Sequence, residues 1–381
     1  MTLHYVDKFR PINSWWAPLA NRSTETTGTK STNGRISMKA LGVDHLEFYV
    51  GDARLTAHYL CTAYGFQVRG QGGPQTGLAG RRSLLLQHGG VRLLLTSGLT
   101  PEHPASQYVA RHGDGVAVIA LSSDDAEETY AELLRKGAQG YGNCTVSGFG
   151  DVTHRLVQRS GGEPFSLPGL ELSGDQEEDE GLLGTIDHVA ICVPSGDLSA
   201  ISKYYQDVFG FNEIFEEYIS VGEQGMDSKV VQSPNRAVTF TLIEPDPARH
   251  PGQIDDFLSW HGGAGVQHIA FSTPDIIRAV STFSARGVAF LSTPASYYDA
   301  LAERLGQVDV PIEELRKHSV LVDADHFGQM YQIFTQSMHV RRTLFLELIE
   351  RHGALTFGTR NIKALYEAKG RELANAEGTN A

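Results

Sequence analysis

Apolar and polar residues alternate along Val43-Asp44-His45-Leu46-Glu47-Phe48-Tyr49-Val50, the period-two pattern of a strand with one covered face. Leu55 to Tyr64 switches to helical spacing and stops at Gly65, a residue suited to the left-handed turn that ends a helix. Phe66 to Arg69, Arg82 to Gln87 and Val91 to Thr96 return to strand pattern, with Gly89-Gly90 marking a hairpin. The unit is a strand, a helix and three strands, and it begins again. Strand Gly115 to Leu121, helix Asp124 to Lys136 with Asp124 as its N-cap, and a closing strand Asp151 to Arg159 complete the second pass.

Residues 161–184 break this rhythm with prolines, glycines and the acidic run Asp175-Gln176-Glu177-Glu178-Asp179-Glu180, and read as a linker. Beyond it the first half returns. Ile186-Asp187-His188-Val189-Ala190-Ile191-Cys192-Val193 matches the first strand, and helix Leu198 to Phe209 follows, with Phe209-Gly210-Phe211 echoing Tyr64-Gly65-Phe66. Gly263 to Phe271 matches Gly113 to Leu121, and helix Ile276 to Arg286 parallels Asp124 to Lys136. The chain reads as an α+β duplication of a duplication: four βαβββ modules, two per domain. The expected division is a disordered tail over 1–40, a first domain over 41–160, the linker, and a second domain over 185–381. The tail is nearly all Ser, Thr, Gly, Asn and charge between Asn21 and Arg35. Met38 stands directly before the first strand, so translation starting there is an expectation that intact mass measurement tests.

Repeats make one half a control for the other. His268 sits inside an apolar strand, where an imidazole needs a partner, and its counterpart in the first half is Val118. The fold therefore does not require a histidine there. His188 is matched by His45 and discriminates less. In the last strand, Thr343 to Arg351, Glu347 shares the face of Phe345 and Ile349, between outward Leu346 and Leu348. A carboxylate on an apolar face calls for a pairing partner or a metal. Two histidines and one glutamate on three strands form the 2-His-1-carboxylate set of non-haem Fe(II), which leaves positions open for substrate and O2. His250, His261, His326, His339 and His352 lie in polar or loop-like surroundings and read as surface residues.

Composition narrows the classes. Hydrophobic residues are 41% and charged residues 20% of 381, an ordinary globular balance. A formal charge of −13 argues against nucleic acid and anionic membranes as partners. No run of about 18 apolar residues suggests a membrane span, and the start lacks the basic and apolar regions of a signal peptide. Cys61, Cys144 and Cys192 are odd in number and scattered, which fits free thiols and a cytoplasmic protein.

Ile186-Asp187-His188, Gly265-Val266-Gln267-His268-Ile269-Ala270, Gln332-Ile333-Phe334-Thr335, Leu344-Phe345-Leu346-Glu347 and Asn361-Ile362-Lys363-Ala364-Leu365-Tyr366-Glu367 carry a resemblance. They are similar, in order, to the 4-hydroxyphenylpyruvate dioxygenase family, which also contains the enzymes forming 4-hydroxymandelate. The paired modules resemble the vicinal oxygen chelate fold, with two open barrels and a C-terminal lid helix. The resemblance covers Val43 to about Ala368. It implies one Fe(II) per chain on His188, His268 and Glu347, an arylpyruvate substrate chelating through its 2-oxo acid, O2 as co-substrate, a first domain without metal, and a homodimer. It also implies that Ser228, Thr241, Ile243, Gln332, Ile362 and Tyr366 line the substrate pocket; Gln267 precedes a ligand on the same strand and so points to the opposite face, in a supporting or structural role.

Members of this family differ in which carbon takes the oxygen, the ring carbon giving homogentisate or the benzylic carbon giving 4-hydroxymandelate. Dioxygenases usually carry Pro-x-Asn-Glu-Pro on one active-site strand, where this chain has Thr241-Leu242-Ile243-Glu244-Pro245. They usually carry Gly-Phe-Gly-x-Gly-Asn-Phe-Lys before the last helix, where it has Thr356-Phe357-Gly358-Thr359-Arg360-Asn361-Ile362-Lys363. Both departures resemble the mandelate-forming branch and suit non-proteinogenic amino-acid supply for peptide antibiotics. The alternatives are homogentisate formation, a small-molecule-sequestering protein without a working triad, and a glyoxalase-type lyase or isomerase, for which a second carboxylate ligand is missing.

Overall fold

One strand order is used twice. The first sheet is built from β1 (Gly42–Tyr49), β2 (Gln67–Gly72), β3 (Arg81–His88), β4 (Val91–Gly98), β5 (Gly115–Ser123), β6 (Gly140–Gly142), β7 (Thr145–Phe149), β8 (Val152–Gln158) and β9 (Glu171–Leu172). The second uses β10 (Ile186–Cys192), β11 (Asn212–Val221), β12 (Gln224–Gln232), β13 (Thr239–Pro245), β14 (Gly265–Ser272), β15 (Leu321–Asp325), β16 (Gly328–Phe334) and β17 (Phe345–His352). Their orders are β6-β7-β8-β5-β1-β4-β3-β2-β9 and β11-β12-β13-β10-β14-β17-β16-β15. Read from opposite ends they coincide, with β9 added, so β1 corresponds to β10, β5 to β14 and β8 to β17. Each sheet is a curled half-barrel of the α+β, vicinal oxygen chelate type. The protein is described by a computed structural model over residues 42–159, 165–173, 179–358, 360, 361 and 363. The expected tail over 1–40 and most of the expected lid helix, with Ile362 and Tyr366, lie outside the described residues.

Helices α1 (Ala53–Tyr64), α2 (Pro104–His112), α3 (Ala126–Arg135), α4 (Leu198–Asp207), α5 (Gln253–His261) and α6 (Ile276–Ala285) cover the sheets. Asp52 caps α1 by accepting from the Arg54 and Leu55 amides, and Gly65 ends it at φ 70°. In α3 the cap is Asp125, which accepts from the Glu128 amide, rather than Asp124. The turn needs a carboxylate within reach of the N3 amide, and Asp125 supplies it.

The main core lies between the helices and the outer sheet faces and is shared by both halves, from Leu46, Leu121 and Leu156 to Val189, Phe271 and Leu348. Leu346 and Leu348, which sequence alternation places outward, are 2% and 0% exposed in that core. Both faces of β17 are thus buried: one meets the helix layer, the other the half-barrel interior. The described part of the expected linker includes one short strand. This strand, β9, pairs with β2 through Gly70–Leu172 and Gln71–Glu171.

Candidate metal centre

Three neighbouring strands place the triad. Strand β10 runs antiparallel to β14, and β14 runs parallel to β17. The register opposes His188 to Ala270 and Ala270 to Glu347, so these three form one row across the sheet. His268 lies two residues before Ala270 on the middle strand and therefore points to the same face. Ala270 is the row's centre, and its single methyl leaves room for the longer side chains to converge over it. Among the described residues, His188, His268 and Glu347 alone form a potential metal-holding group, their ligand atoms lying within 4.8 Å of one another.

Glu347 Oε2 lies 3.3 Å from Nε2 of His188 and 3.3 Å from Nε2 of His268. The far nitrogens of both rings are engaged. His188 Nδ1 lies 2.8 Å from Asp187 Oδ1, and His268 Nδ1 lies 3.3 Å from Gln267 Oε1. Each Nδ1 acts as the donor, which turns the Nε2 lone pair inward. Arg351 fixes the orienting carboxylate through Nε–Asp187 Oδ2 at 2.7 Å and Nη2–Asp187 Oδ1 at 2.9 Å. Phe345 stacks on His268 at 4.9 Å, and Phe334 and Phe357 pack edge-on against His268 and His188.

The site's electrostatics favour a cation. Burial works against ionisation of Glu347, but the charge and hydrogen bonds of His188 and His268 outweigh it and hold the carboxyl below its usual range. Burial likewise opposes protonation of His188, yet Glu347 and Asp187 push it up to about 9. His268 is lowered by burial, only partly offset by Glu347. A bound divalent ion would stand in for the His188 proton as counter-charge to Glu347. Metal–ligand bonds of about 2.1 Å at right angles put neighbouring ligand atoms about 3 Å apart, close to the separations found. The residues fit a metal ion of the kind bound by two imidazoles and a carboxylate.

Cross-strand pairing also locates the other predicted positions. Thr241 opposes Ala190 and Ile243 opposes Cys192, so both share the interior face with His188. Ser228 opposes Ile243, and Gln332 opposes Ile349, two residues from Glu347, which extends that face on both sides. Thr241 Oγ1 and Gln332 Oε1 are buried and have no hydrogen-bond partner among the described residues. Ile243 packs beside Cys192, Met226 and Phe257. Gln267 is 6% exposed and sits behind His268.

A cavity of about 940 Å³ opens beside the triad and is walled in part by Asp187, Arg351, Phe357, Phe215 and Arg360. Asp187 and Phe357 touch His188 directly, so the cavity reaches the ligand's supporting residues rather than the ligands. Sequence reasoning assigned no role to Asp187, Arg351 or Phe357. The signal was a repeated pattern: Asp44-His45 with Arg159 and Phe165 recurs as Asp187-His188 with Arg351 and Phe357. His261, read as a surface residue, is 3% exposed, stacked between Phe257 and His112.

Comparison with known proteins identifies the family. The model of the Glyoxalase/Bleomycin resistance protein/Dioxygenase superfamily matches residues 42–147 and 185–313. A 4-hydroxyphenylpyruvate dioxygenase of Yarrowia lipolytica is 31% identical, over 87% of this chain and 92% of its own. A probable 4-hydroxyphenylpyruvate dioxygenase 2 of Aspergillus fumigatus is 33% identical, over 89% and 95%. The solved structure of a triple mutant of 4-hydroxymandelate synthase from Streptomyces coelicolor is 42% identical, covers 87% of this chain and 98% of its own, and superposes with a TM-score of 0.78. The chain is a member of the 4-hydroxyphenylpyruvate dioxygenase family within that superfamily.

Proposed function

We propose that the protein is a non-haem Fe(II) oxygenase converting 4-hydroxyphenylpyruvate and O2 to 4-hydroxymandelate and CO2, with His188, His268 and Glu347 as iron ligands. The observation that carries the choice of product is the apolar wall at Ile243, on the interior face beside His188's own strand. An amide there would hold the substrate's ring by hydrogen bonding; an isoleucine cannot. The reading is supported by the 42% identity with a 4-hydroxymandelate synthase.

Bound Fe(II) supplies O2 activation and a chelation point for a 2-oxo acid. The chain's residues do the rest. Asp187 and Arg351 hold His188 in one orientation, and Gln267 does the same for His268. Phe334, Phe345 and Phe357 keep water from the reacting carbon. Thr241 Oγ1 and Gln332 Oε1 offer hydrogen bonds to the substrate's polar ends. Ser228, Ile243, Ile362 and Tyr366 complete the wall, so that the benzylic C–H, not the ring, lies nearest the site of oxygen transfer. The first half, with Val118 and Arg155 in place of His268 and Glu347, takes no part in holding the iron.

The test is anaerobic reconstitution with Fe(II), then 4-hydroxyphenylpyruvate and O2, with proton NMR of the product. 4-Hydroxymandelate and homogentisate are isomers, so mass alone does not separate them; a benzylic CH–OH signal does. A benzylic CH2 with a trisubstituted ring overturns the proposed regiochemistry.

A further inference from the structure

The first half-barrel keeps the frame of the metal centre and changes its charge. His45 Nδ1 lies 2.6 Å from Asp44 Oδ1, and Arg159 clamps Asp44 at 2.6 and 2.8 Å, as Arg351 clamps Asp187. Phe165 packs edge-on to His45 at 6.2 Å with the Arg159 guanidinium 4.1 Å from its ring centre. Phe357 makes the same two contacts with His188 and Arg351, at 5.6 and 5.3 Å. A second guanidinium distinguishes the first half: Arg92 lies 4.4 Å from the Phe165 ring centre. Leu93 pairs with Leu46, and Phe240 pairs with Val189, so Arg92 stands where the second half has Thr239.

We propose that this half-barrel is a second ligand site, for a small aromatic carboxylate, and that the Phe165 ring holds its place in the free chain. Asp44 is taken by Arg159 and His45, and Glu47 by Arg155 and Thr96. Arg92 is left with one long hydrogen bond to the Asp44 carbonyl, at 3.4 Å. Among the described residues its buried Nε has no partner, and neither has Nε2 of His45, a residue with no exposure at all. Nor, among those residues, does any carboxylate bond to this partly buried guanidinium, and the charge of Asp44 only partly offsets the cost of burying it. The phenyl ring covers two guanidinium faces but brings no negative charge. An aromatic carboxylate brings both: its ring takes the space between Arg92 and Arg159, and its oxygens accept from the Arg92 guanidinium. Buried Leu85 and Leu94 give the interior the apolar wall such a ring requires.

The probe is 4-hydroxyphenylacetate, which lacks the 2-oxo group needed to chelate a metal, titrated calorimetrically into the metal-free full chain. Phe165→Leu removes the competing ring and is expected to tighten binding about tenfold, because the site is no longer occupied from within. Arg92→Gln, which leaves Phe165 in place, is expected to weaken it about tenfold, and His268→Ala to leave it unchanged. The proposal is overturned if neither the parent nor Phe165→Leu binds, if Arg92→Gln binds as the parent does, or if His268→Ala is the substitution that abolishes binding. Should Phe165→Leu fail to fold, the Arg92→Gln and His268→Ala arms decide. None of these readouts depends on the product of the proposed reaction.

Discussion

Arg155 occupies in the first half the position that Glu347 occupies in the second. Ala120 opposes Arg155 as Ala270 opposes Glu347, and His45 opposes Ala120 as His188 opposes Ala270. A cation has replaced the carboxylate, and Glu47, where the second half has Ala190, lies 3.0 Å from it as counter-ion. Val118 completes the exchange by standing for His268. The same backbone therefore supports a candidate metal centre in one half and an ion pair in the other.

Undoing the exchange tests this equivalence. A chain carrying Val118→His, Arg155→Glu and Glu47→Ala presents two histidines and a glutamate in both halves. Metal content after loading with Co(II) and desalting, read by atomic emission, is expected to rise from about one to about two ions per chain, the coordination logic being the same in each. A value that stays at one refutes the correspondence.

Asp187 carries a second prediction. Removing the charge that fixes a ligating imidazole costs about 10- to 100-fold in metal affinity. Asp187→Asn is expected to show that loss in competition with a chelator. Asp44→Asn, which disturbs the matching Asp–Arg–His arrangement in the first half, is expected to leave metal affinity unchanged. Equal losses in both variants would mean that the effect is one of folding.

His154 sets an acid limit on stability. It is fully buried against Phe209 and Phe240, with Nε2 2.8 Å from the Tyr205 hydroxyl, and burial pushes it down to about 4 against an ordinary 6.5. The unfolded chain therefore binds this proton first. Its contribution is intact above pH 6.5 and is lost as pH falls from 6.5 to 4, an amount of about 3 kcal/mol at most. Chemical denaturation across that window is expected to show a slope that His154→Gln flattens. An unchanged slope refutes the assignment.

Ile243→Asn tests the wall. An amide beside Cys192 and Met226 loses apolar packing and costs about 1–3 kcal/mol if left unpaired, so total turnover is expected to drop. The informative quantity is the product ratio, which is expected to shift from 4-hydroxymandelate towards homogentisate. A ratio that does not move assigns the choice of carbon to other residues.

The duplicated hydrophobic pattern made the matched elements readable, β1 with β10, α1 with α4, β5 with β14 and α3 with α6, while the long strands β11 and β12 had no matched stretch to reveal them. It also exposed His268, through Val118. Other features depend on contacts that alternation does not encode. Strand β6 has three exposed residues, Gly140-Tyr141-Gly142, and owes its pairing to β7. Helix α2 is shaped by Pro104, by the Tyr108 hydroxyl donating to the Val116 carbonyl, and by His112 stacked on His261. The burial of His261 follows from that stack, across more than a hundred residues of sequence. Arg155 shows the same limit: an arginine in a strand looks like an edge residue until the register sets it opposite Ala120.

Arg351 joins two things usually treated apart. Its guanidinium grips Asp187 and also donates from Nη1 to the carbonyls of Ala354 and Thr356. Asp325 holds the same segment by accepting from the Leu355 and Thr356 amides. The path of the chain after β17 and the aim of the His188 ring are thus one mechanical assembly. Displacing residues 354–357 must either drag Asp187 with it or break charge-assisted hydrogen bonds, so the imidazole is coupled to whatever moves at the mouth of the cavity.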